Sequence, residues 1–452
     1  MPGDPAIAEP TAAEYIVKNR LQANDEPIHN WYRFVLGYPP HLVREYLEAL
    51  GADPERDWVL DPFSGTATTP LEARLRGFRS LSCDANPISL LATRVKLGWD
   101  MDVAEAEAKA EEAPSLAESC LAGGFDPEAL LPPSASALIP DGFISHKPLV
   151  RVLALRHAVE ALAAPGAVRD FLLLALANTI VSTAGNVGFG PEVYRLPPKD
   201  DADVLGAFAR TVADMVNDLR CVLESRPRPF PPARVFQEDA RLLSALQGCP
   251  PIGIVITSPP YPNEKDYTRS TRLESVLLGL IESKSGLRAL KARLLRSNTR
   301  NVFADDTDDA FVRDVPAVGR IADEIEAKRR QLGKTSGFER QYHRVVRLYF
   351  GGMFRHFAAL LPRLRPGARC AYVVGDQMSF FRVHIRTAHL LADVALRAGY
   401  AVEGIQLWRT RRSTTTGLDL EENMLVLRRP KGRKGRVAIE NAGEETRQWE
   451  GN

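Results

Sequence analysis

Short apolar runs that end in small, acidic or proline-rich residues, and then hand over to a helical pattern, recur along this chain. Residues 58–63, 235–240 and 252–261 each read as a β-strand closed at its carboxyl end by such a cluster. A fourth run, 80–83, stops at Asp84 and leads into a helical pattern over 88–97. Towards the C-terminus, 371–374 and 423–427 read as later strands of the same sheet, with a helix over 384–397 between them. This alternation predicts an α/β fold, a Rossmann-like doubly wound parallel sheet.

Two long interruptions break the alternation. From about 101 to 232, Ala and Leu recur at helical spacing, as in 149–162 and 204–223, which predicts a largely helical insertion. From about 268 to 347 comes a second insertion rich in cations, among them Lys291, Arg293, Arg296, Arg300, Lys328, Arg329, Arg330 and Lys334. Its acidic cluster Asp305, Asp306, Asp308 and Asp309 offsets that charge in the total without saying where the charges sit. The expected organisation is therefore a first part of the core over 1–100, the helical insertion 101–232, a core segment 233–267, the basic insertion 268–347 as a candidate target-recognition region, the rest of the core over 348–430, and a polar tail 431–452 expected to be disordered.

Composition adds limits. With 45% hydrophobic and 25% charged residues over 452 positions the chain is ordinary globular protein. Its formal charge of +1 gives no overall positive field, so a nucleic-acid partner would be met by a local basic surface. Cys83, Cys120, Cys221, Cys249 and Cys370 are far apart and form no CxxC pair, which argues against zinc ribbons and disulfide frameworks and leads us to expect no metal. Residues 1–10 show no basic segment leading into an apolar one, and no uninterrupted run of about eighteen apolar residues occurs. A soluble, unprocessed cytoplasmic protein is the expectation.

Four strand ends carry chemistry. Asp61-Pro62-Phe63-Ser64-Gly65-Thr66-Ala67-Thr68-Thr69 joins a strand to a helix, where small residues let backbone approach a ligand and a helix start offers N–H groups. A plain tight turn is the simpler reading of that segment alone. Asp84, about twenty residues on, stands where a doubly wound fold places an acid for ribose hydroxyls, although an isolated Asp before Asn86-Pro87 is more often a cap. Thr257-Ser258-Pro259-Pro260-Tyr261 is the strongest signal: two prolines stop the strand, remove N–H donors and leave carbonyls facing a cavity. Such acceptors suit an amino group on a base, and an aromatic beside them can stack on an extruded base. Asp239, followed by Ala240, ends the strand before it, so the acids and the proline corner are expected to meet in one crevice.

These residues resemble the amino-methyltransferase branch of the S-adenosylmethionine-dependent methyltransferases, which modifies adenine N6 or cytosine N4 in DNA. The segment Asp61 to Thr69 is similar to the family's cofactor motif, with Ala67 in place of a glycine, and Ser258 to Tyr261 to its catalytic tetrapeptide in the Ser-Pro-Pro-Tyr form of N4-cytosine enzymes. Tyr38-Pro39-Pro40-His41-Leu42 is similar to its N-terminal motif. The resemblance implies catalysis by Ser258, Pro259, Pro260 and Tyr261. It further implies S-adenosylmethionine held by Tyr38, Pro39, Asp61, Pro62, Phe63, Ser64, Gly65, Thr66, Thr68, Asp84, Asp239, Ala240 and Thr257. DNA is the implied partner ahead of RNA, cytosine N4 the leading target ahead of adenine N6, and a restriction-modification setting follows from the resemblance alone. A silent nucleic-acid-binding module of the same fold is the reading from another class. C5 methylation is set aside because Cys249 precedes the strand rather than following it.

For DNA contacts, Arg409, Arg411 and Arg412, followed by Ser413-Thr414-Thr415-Thr416, read as a basic loop before the last strand. Arg269, Arg272 and the basic insertion follow the proline corner and are candidates to hold DNA around a flipped base. His29, Trp31 and Tyr32 read as packing residues, and the glycine-rich stretch 186–194 as a loop able to reach the site.

Overall fold

The computed structural model describes residues 25, 27–32, 37–124, 126, 129–190, 192–226, 228–412 and 417–432, together with the backbone of 438–441 and 445–448. Seven strands form the central sheet: β1 (Trp58–Asp61), β2 (Arg79–Asp84), β3 (Ala233–Gln237), β4 (Ile252–Thr257), β5 (Leu364–Gly375), β6 (Ala401–Arg412) and β7 (Asp419–Arg428). Their spatial order is β3-β2-β1-β4-β5-β7-β6. The first five run parallel, while β7 lies antiparallel between β5 and β6. This is the Rossmann-like doubly wound sheet, with one antiparallel edge added to the parallel arrangement expected. Every residue of β1 and β4 is buried, as continuous apolar runs covered on both faces require.

Crossover helices start where sequence and turn chemistry permit. Helix α1 (Pro40–Ala49) opens on a proline, α2 (Thr68–Leu75) follows the left-handed Ala67, and α3 (Pro87–Leu97) has Pro87 in its first turn with the Asn86 side chain accepting from Ile88 N. The first insertion folds as α4 (Val103–Ala122), α5 (His146–Leu162), α6 (Ala167–Thr179) and α7 (Val204–Ser225), which bury one another's Ala, Leu and Val faces. The stretch Ala167–Ala184 is long and apolar enough to cross a membrane, but 56% of it is buried against its neighbours, as in the core helix of a helical layer.

The second insertion supplies α8 (Lys284–Ala292) and α9 (Pro316–Gln331) and leads into α10 (Tyr342–Leu360), with α11 (Thr387–Arg397) between β5 and β6. A glycine notch seats it: a Cβ at Gly351 of α10 would stand 1.8 Å from the Asp308 carbonyl oxygen, so only glycine lets that turn dock.

Two expectations change here. Arg409, Arg411 and Arg412 belong to strand β6 rather than to a loop, because β6 is an edge strand whose polar, half-exposed residues lack the apolar run of a central strand. Ser413 to Thr416 lie outside the described residues, as do 1–10. In the polar tail, the backbone of Ala438–Asn441 pairs antiparallel with Glu445–Gln448, and 433–437, 442–444 and 449–452 are not described.

Candidate functional site

The carboxyl ends of β1 to β5 open into one cleft of about 690 Å³. It is lined by Tyr38, Pro62, Phe63, Ser64, Gly65, Thr66, Thr68, Asp84, Asp239 and Ala240, together with Ser258, Pro259, Pro260, Tyr261, Arg409, Arg411 and Arg412. Most of the residues singled out from the sequence thus face a common space, as strand ends of a doubly wound sheet should. Pro39, Asp61, Thr257, Arg269 and Arg272 do not line it.

Asp61 departs most from its expected role. Its carboxylate is buried beneath the turn, where Oδ1 accepts from Thr257 Oγ1 at 2.6 Å and from Phe63 N at 3.1 Å, and Oδ2 accepts from Tyr38 Oη at 2.8 Å. The acid is therefore a clamp joining the N-terminal motif, the first turn and β4, and its spent lone pairs offer little to a ligand. Thr257 is used up in the same clamp.

Asp84 does face the cleft. Its Oδ2 accepts from Gly65 N at 2.9 Å and its Oδ1 from Asn86 N at 2.8 Å, so it shapes the first turn while presenting carboxylate edge to the space. Burial pushes Asp61 and Asp84 alike up to about 6. The turn itself uses left-handed backbone at Gly65 and Ala67, with φ of 50° and 73°. Beneath it, buried Lys96 donates from Nζ to the carbonyls of His29, Tyr32 and Thr66 at 3.0, 2.6 and 2.9 Å. This lysine gave no signal in the sequence, since it sits within an otherwise ordinary amphipathic helix.

The Asp239 carboxylate lines the cleft and is gripped by Arg241, which lines it too and whose Nη2 lies 2.6 Å from Oδ2 and whose Nε lies 3.0 Å from Oδ1. Arg241 also donates to Asp308 Oδ2 at 2.8 Å, and Asp308 Oδ1 takes Arg355 at 2.6 Å. Ala240 is fixed by His356: a carbonyl oxygen only accepts, so Nδ1 carries the proton to Ala240 O at 2.7 Å, and Nε2 accepts from Tyr372 Oη at 2.8 Å. Burial holds this imidazole down at about 4, hence neutral at physiological pH.

At the proline corner, Ser258 Oγ donates to the Val373 carbonyl at 3.1 Å, which leaves its lone pairs as acceptors towards the cleft. Tyr261 Oη lies 3.3 Å from Ser258 Oγ and donates to Glu422 Oε1 at 3.0 Å, while Arg409 binds the other oxygen of Glu422. Gly375 makes room for this ring, since a Cβ there would meet it at 3.2 Å. After the corner, Glu264 adopts a left-handed backbone with φ of 68° and is held by Thr299 N and Oγ1 at 2.9 and 2.7 Å. Tyr267, Lys265, Arg293, Gln377 and Glu422 also line the cleft. Of these only Arg293 stood out in the sequence, as a cation of the basic insertion.

The expected basic DNA-holding surface of the second insertion is largely neutralised within the fold. Arg296 is buried against Asp306, Lys291 reaches Asp266 at 2.7 Å, Arg329 and Arg330 share Glu326, and Lys334 pairs with Glu339. Of the acidic cluster only Asp306 meets one of these cations; the others find Asp266, Glu326 and Glu339. Arg269 pairs with Glu192 at 3.3 Å, and half-buried Arg272 bonds Thr268. These cations stabilise the insertion because short-range pairing outweighs a diffuse outward field. Among the cations that line the cleft, Arg241 and Arg409 are paired with Asp239 and Glu422, which leaves Lys265, Arg293, Arg411 and Arg412.

His29, Trp31 and Tyr32 are packing residues, as expected: His29 pairs with Glu72 at 3.0 Å, Trp31 bonds Asp218 and Tyr32 bonds Glu274. Within 186–194 a small hairpin, Val187–Phe189 with Val193–Arg195, brings Glu192 to the cleft. The five cysteines are unpaired.

No family model matches the chain. The Type II methyltransferase M.BsoBI of Geobacillus stearothermophilus is 26% identical to it over 306 residues, which is 62% of this chain and 58% of that protein. The chain thus spans less than two thirds of the length of this relative. Among solved structures, TrmN from Thermus thermophilus aligns with a TM-score of 0.29 at 13% identity, over 86% of this chain and 48% of that one.

Proposed function

We propose that this chain is an S-adenosylmethionine-dependent methyltransferase that acts on the exocyclic amino group of a DNA base, with cytosine N4 ahead of adenine N6. One observation carries the reading: the rigid Ser258-Pro259-Pro260-Tyr261 corner and the Phe63–Thr66 turn with Asp84 face the same cleft. The similarity to a Type II methyltransferase supports it.

The residues present fit the cofactor. Asp84 offers carboxylate edge where a ribose would lie, the left-handed Gly65 turn exposes backbone, and Asp239 with Ala240 makes a polar wall stiffened by Arg241 and His356. When bound, S-adenosylmethionine supplies a methyl group on a cationic sulfur. The chain's own part is alignment and the acceptance of hydrogen bonds. Ser258 Oγ, its proton spent on Val373, and the carbonyl of Pro259 accept the hydrogens of the target amino group and turn its lone pair towards the methyl donor. Tyr261, tethered through Glu422 and Arg409, gives the base a face to stack on. Lys265, Arg293, Arg411 and Arg412, which line the cleft, take phosphates flanking an extruded nucleotide.

Digesting host DNA to nucleosides after expression of the chain, and identifying new methylated bases by mass spectrometry, tests the reading. N4-methylcytosine is expected, N6-methyladenine would shift the target, and label from the cofactor found in RNA alone would overturn the DNA assignment. Ser258→Ala should lower kcat about 10- to 100-fold with cofactor affinity unchanged; equal losses in both would remove Ser258 from its role.

A further inference from the structure

Ten buried side chains hold a polar atom without a partner among the described residues, and of these Asn301 alone also lines the cleft. The residue is 1% exposed. Its Oδ1 is the partnerless atom. A buried amide left unpaired carries a desolvation cost with no return, and native folds keep few of them. Retained in a cleft wall, such a group has its partner in the ligand.

The backbone places this amide at the proline corner rather than with the cofactor turn. Asn301 ends the short turn Thr299–Asn301. That turn hangs from Glu264 through Thr299, and next to it Asn263 N donates to the Ser297 carbonyl at 3.1 Å. Both tethers attach to residues that directly follow Tyr261. A strained, left-handed Glu264 thus ties the turn that carries Asn301 to the segment following the proline corner, and Asn301 shares the cleft with Ser258 and Pro259.

We propose that Asn301 is the base-reading residue that the second insertion contributes: its carboxamide pairs with the edge of the nucleobase extruded into the cleft. An amide offers one acceptor and one donor side by side, which complements an amino group next to an unprotonated ring nitrogen, the pattern that cytosine and adenine share; Nδ2 donates to the ring nitrogen and Oδ1 shares with the Pro259 carbonyl the amino hydrogen on that side. This assignment rests on the methyltransferase reading above. It makes the second insertion part of the specificity apparatus through one wall residue, in place of the paired cations.

The test uses the full chain, unmodified plasmid DNA, and S-adenosylmethionine labelled on its methyl group. Asn301→Leu, of similar volume, removes both amide poles; Asn301→Ser removes them while opening space, should leucine clash. Each should lower kcat/KM for DNA about 10- to 100-fold, the effect of losing hydrogen bonds to a buried base edge. Cofactor affinity by calorimetry should stay within about twofold, and the Tm of Asn301→Leu should equal or exceed that of the parent because an unpaired pole is gone. Undiminished transfer would overturn the assignment. So would a parallel loss of cofactor affinity, which would give the amide to the cofactor, or a Tm drop in both variants, which would make it structural. Failure of the parent chain to label any DNA would sink the methyltransferase reading itself, and this assignment with it.

Discussion

The two insertions interrupt the same sheet and both bury apolar faces against it, yet the second adds buried ion pairs at the strand ends. Residues 101–232 form an apolar layer in which α4 to α7 bury each other and the face of α3. The second insertion packs Leu295, Val312, Val318 and Ile325 into the core beside the sheet and adds a latch of charge and shape: Arg241 joins Asp239 to Asp308, Arg296 takes Asp306, and Gly351 leaves a notch for the Asp308 carbonyl. The contrast teaches where each segment acts. An apolar layer supports the sheet from outside the cleft, with only Glu192 of its small hairpin at the cleft. A segment latched by ion pairs to the ends of strands brings its own side chains, Arg293, Leu294, Leu295, Ser297 and Asn301, into the wall.

Breaking the latch should have the largest effect on the cleft. Asp308→Ala strips one of two carboxylates from buried Arg241, which keeps Asp239, and takes the carboxylate from half-buried Arg355, so it is expected to cost about 2–3 kcal/mol of stability. Because Arg241 also fixes Asp239, cofactor affinity should fall about tenfold or more. Chemical denaturation and calorimetry on the one variant read both numbers. A loss of stability with cofactor affinity intact would mean that the latch is structural only, and the contrast between the insertions would narrow.

The companion experiment belongs in the apolar layer. Leu174 of α6 is fully buried, and Leu174→Ala should cost about 2–5 kcal/mol through a cavity in the helical core. Here cofactor affinity and kcat should be unchanged in the population that remains folded. If they fell in step with stability, the first insertion would be coupled to the cleft more tightly than its packing shows.

This difference also explains what could be read in advance. Strands 58–61, 79–84 and 252–257 end in the residues that mark the cleft, and their apolar runs and proline or glycine stops are local, so sequence reveals them. Pairing over distance is not local. Asp61 has the composition of a ligand-binding acid, but Thr257 and Tyr38 consume it. The cations of 268–347 have the composition of a phosphate grip, but Asp266, Asp306 and Glu326 meet them first. Composition counts charges, and only the fold decides which face solvent. Strand β6 escaped for a related reason: at the edge of a sheet its residues need not be apolar, and no run marks them.

The smallest expected effect lies at the seam where the insertions approach each other. Glu274, in the short helix Arg272–Leu277 after the proline corner, is 2% exposed and accepts from Tyr32 Oη. Burial pushes its carboxyl up to about 7 from an ordinary value near 4.5. Between those two values the folded chain holds the proton more strongly than the unfolded chain, so stability is greatest at the acid end and declines as pH rises towards 7, then levels off. Glu274→Gln keeps an acceptor for Tyr32 and cannot ionise, so it should gain on the parent by roughly 1–2 kcal/mol between pH 5 and pH 8. Thermal unfolding of both across that range is the measurement. Parallel curves would show that water reaches Glu274 and that the seam is open, in which case the two insertions would meet as separate bodies rather than as one packed wall.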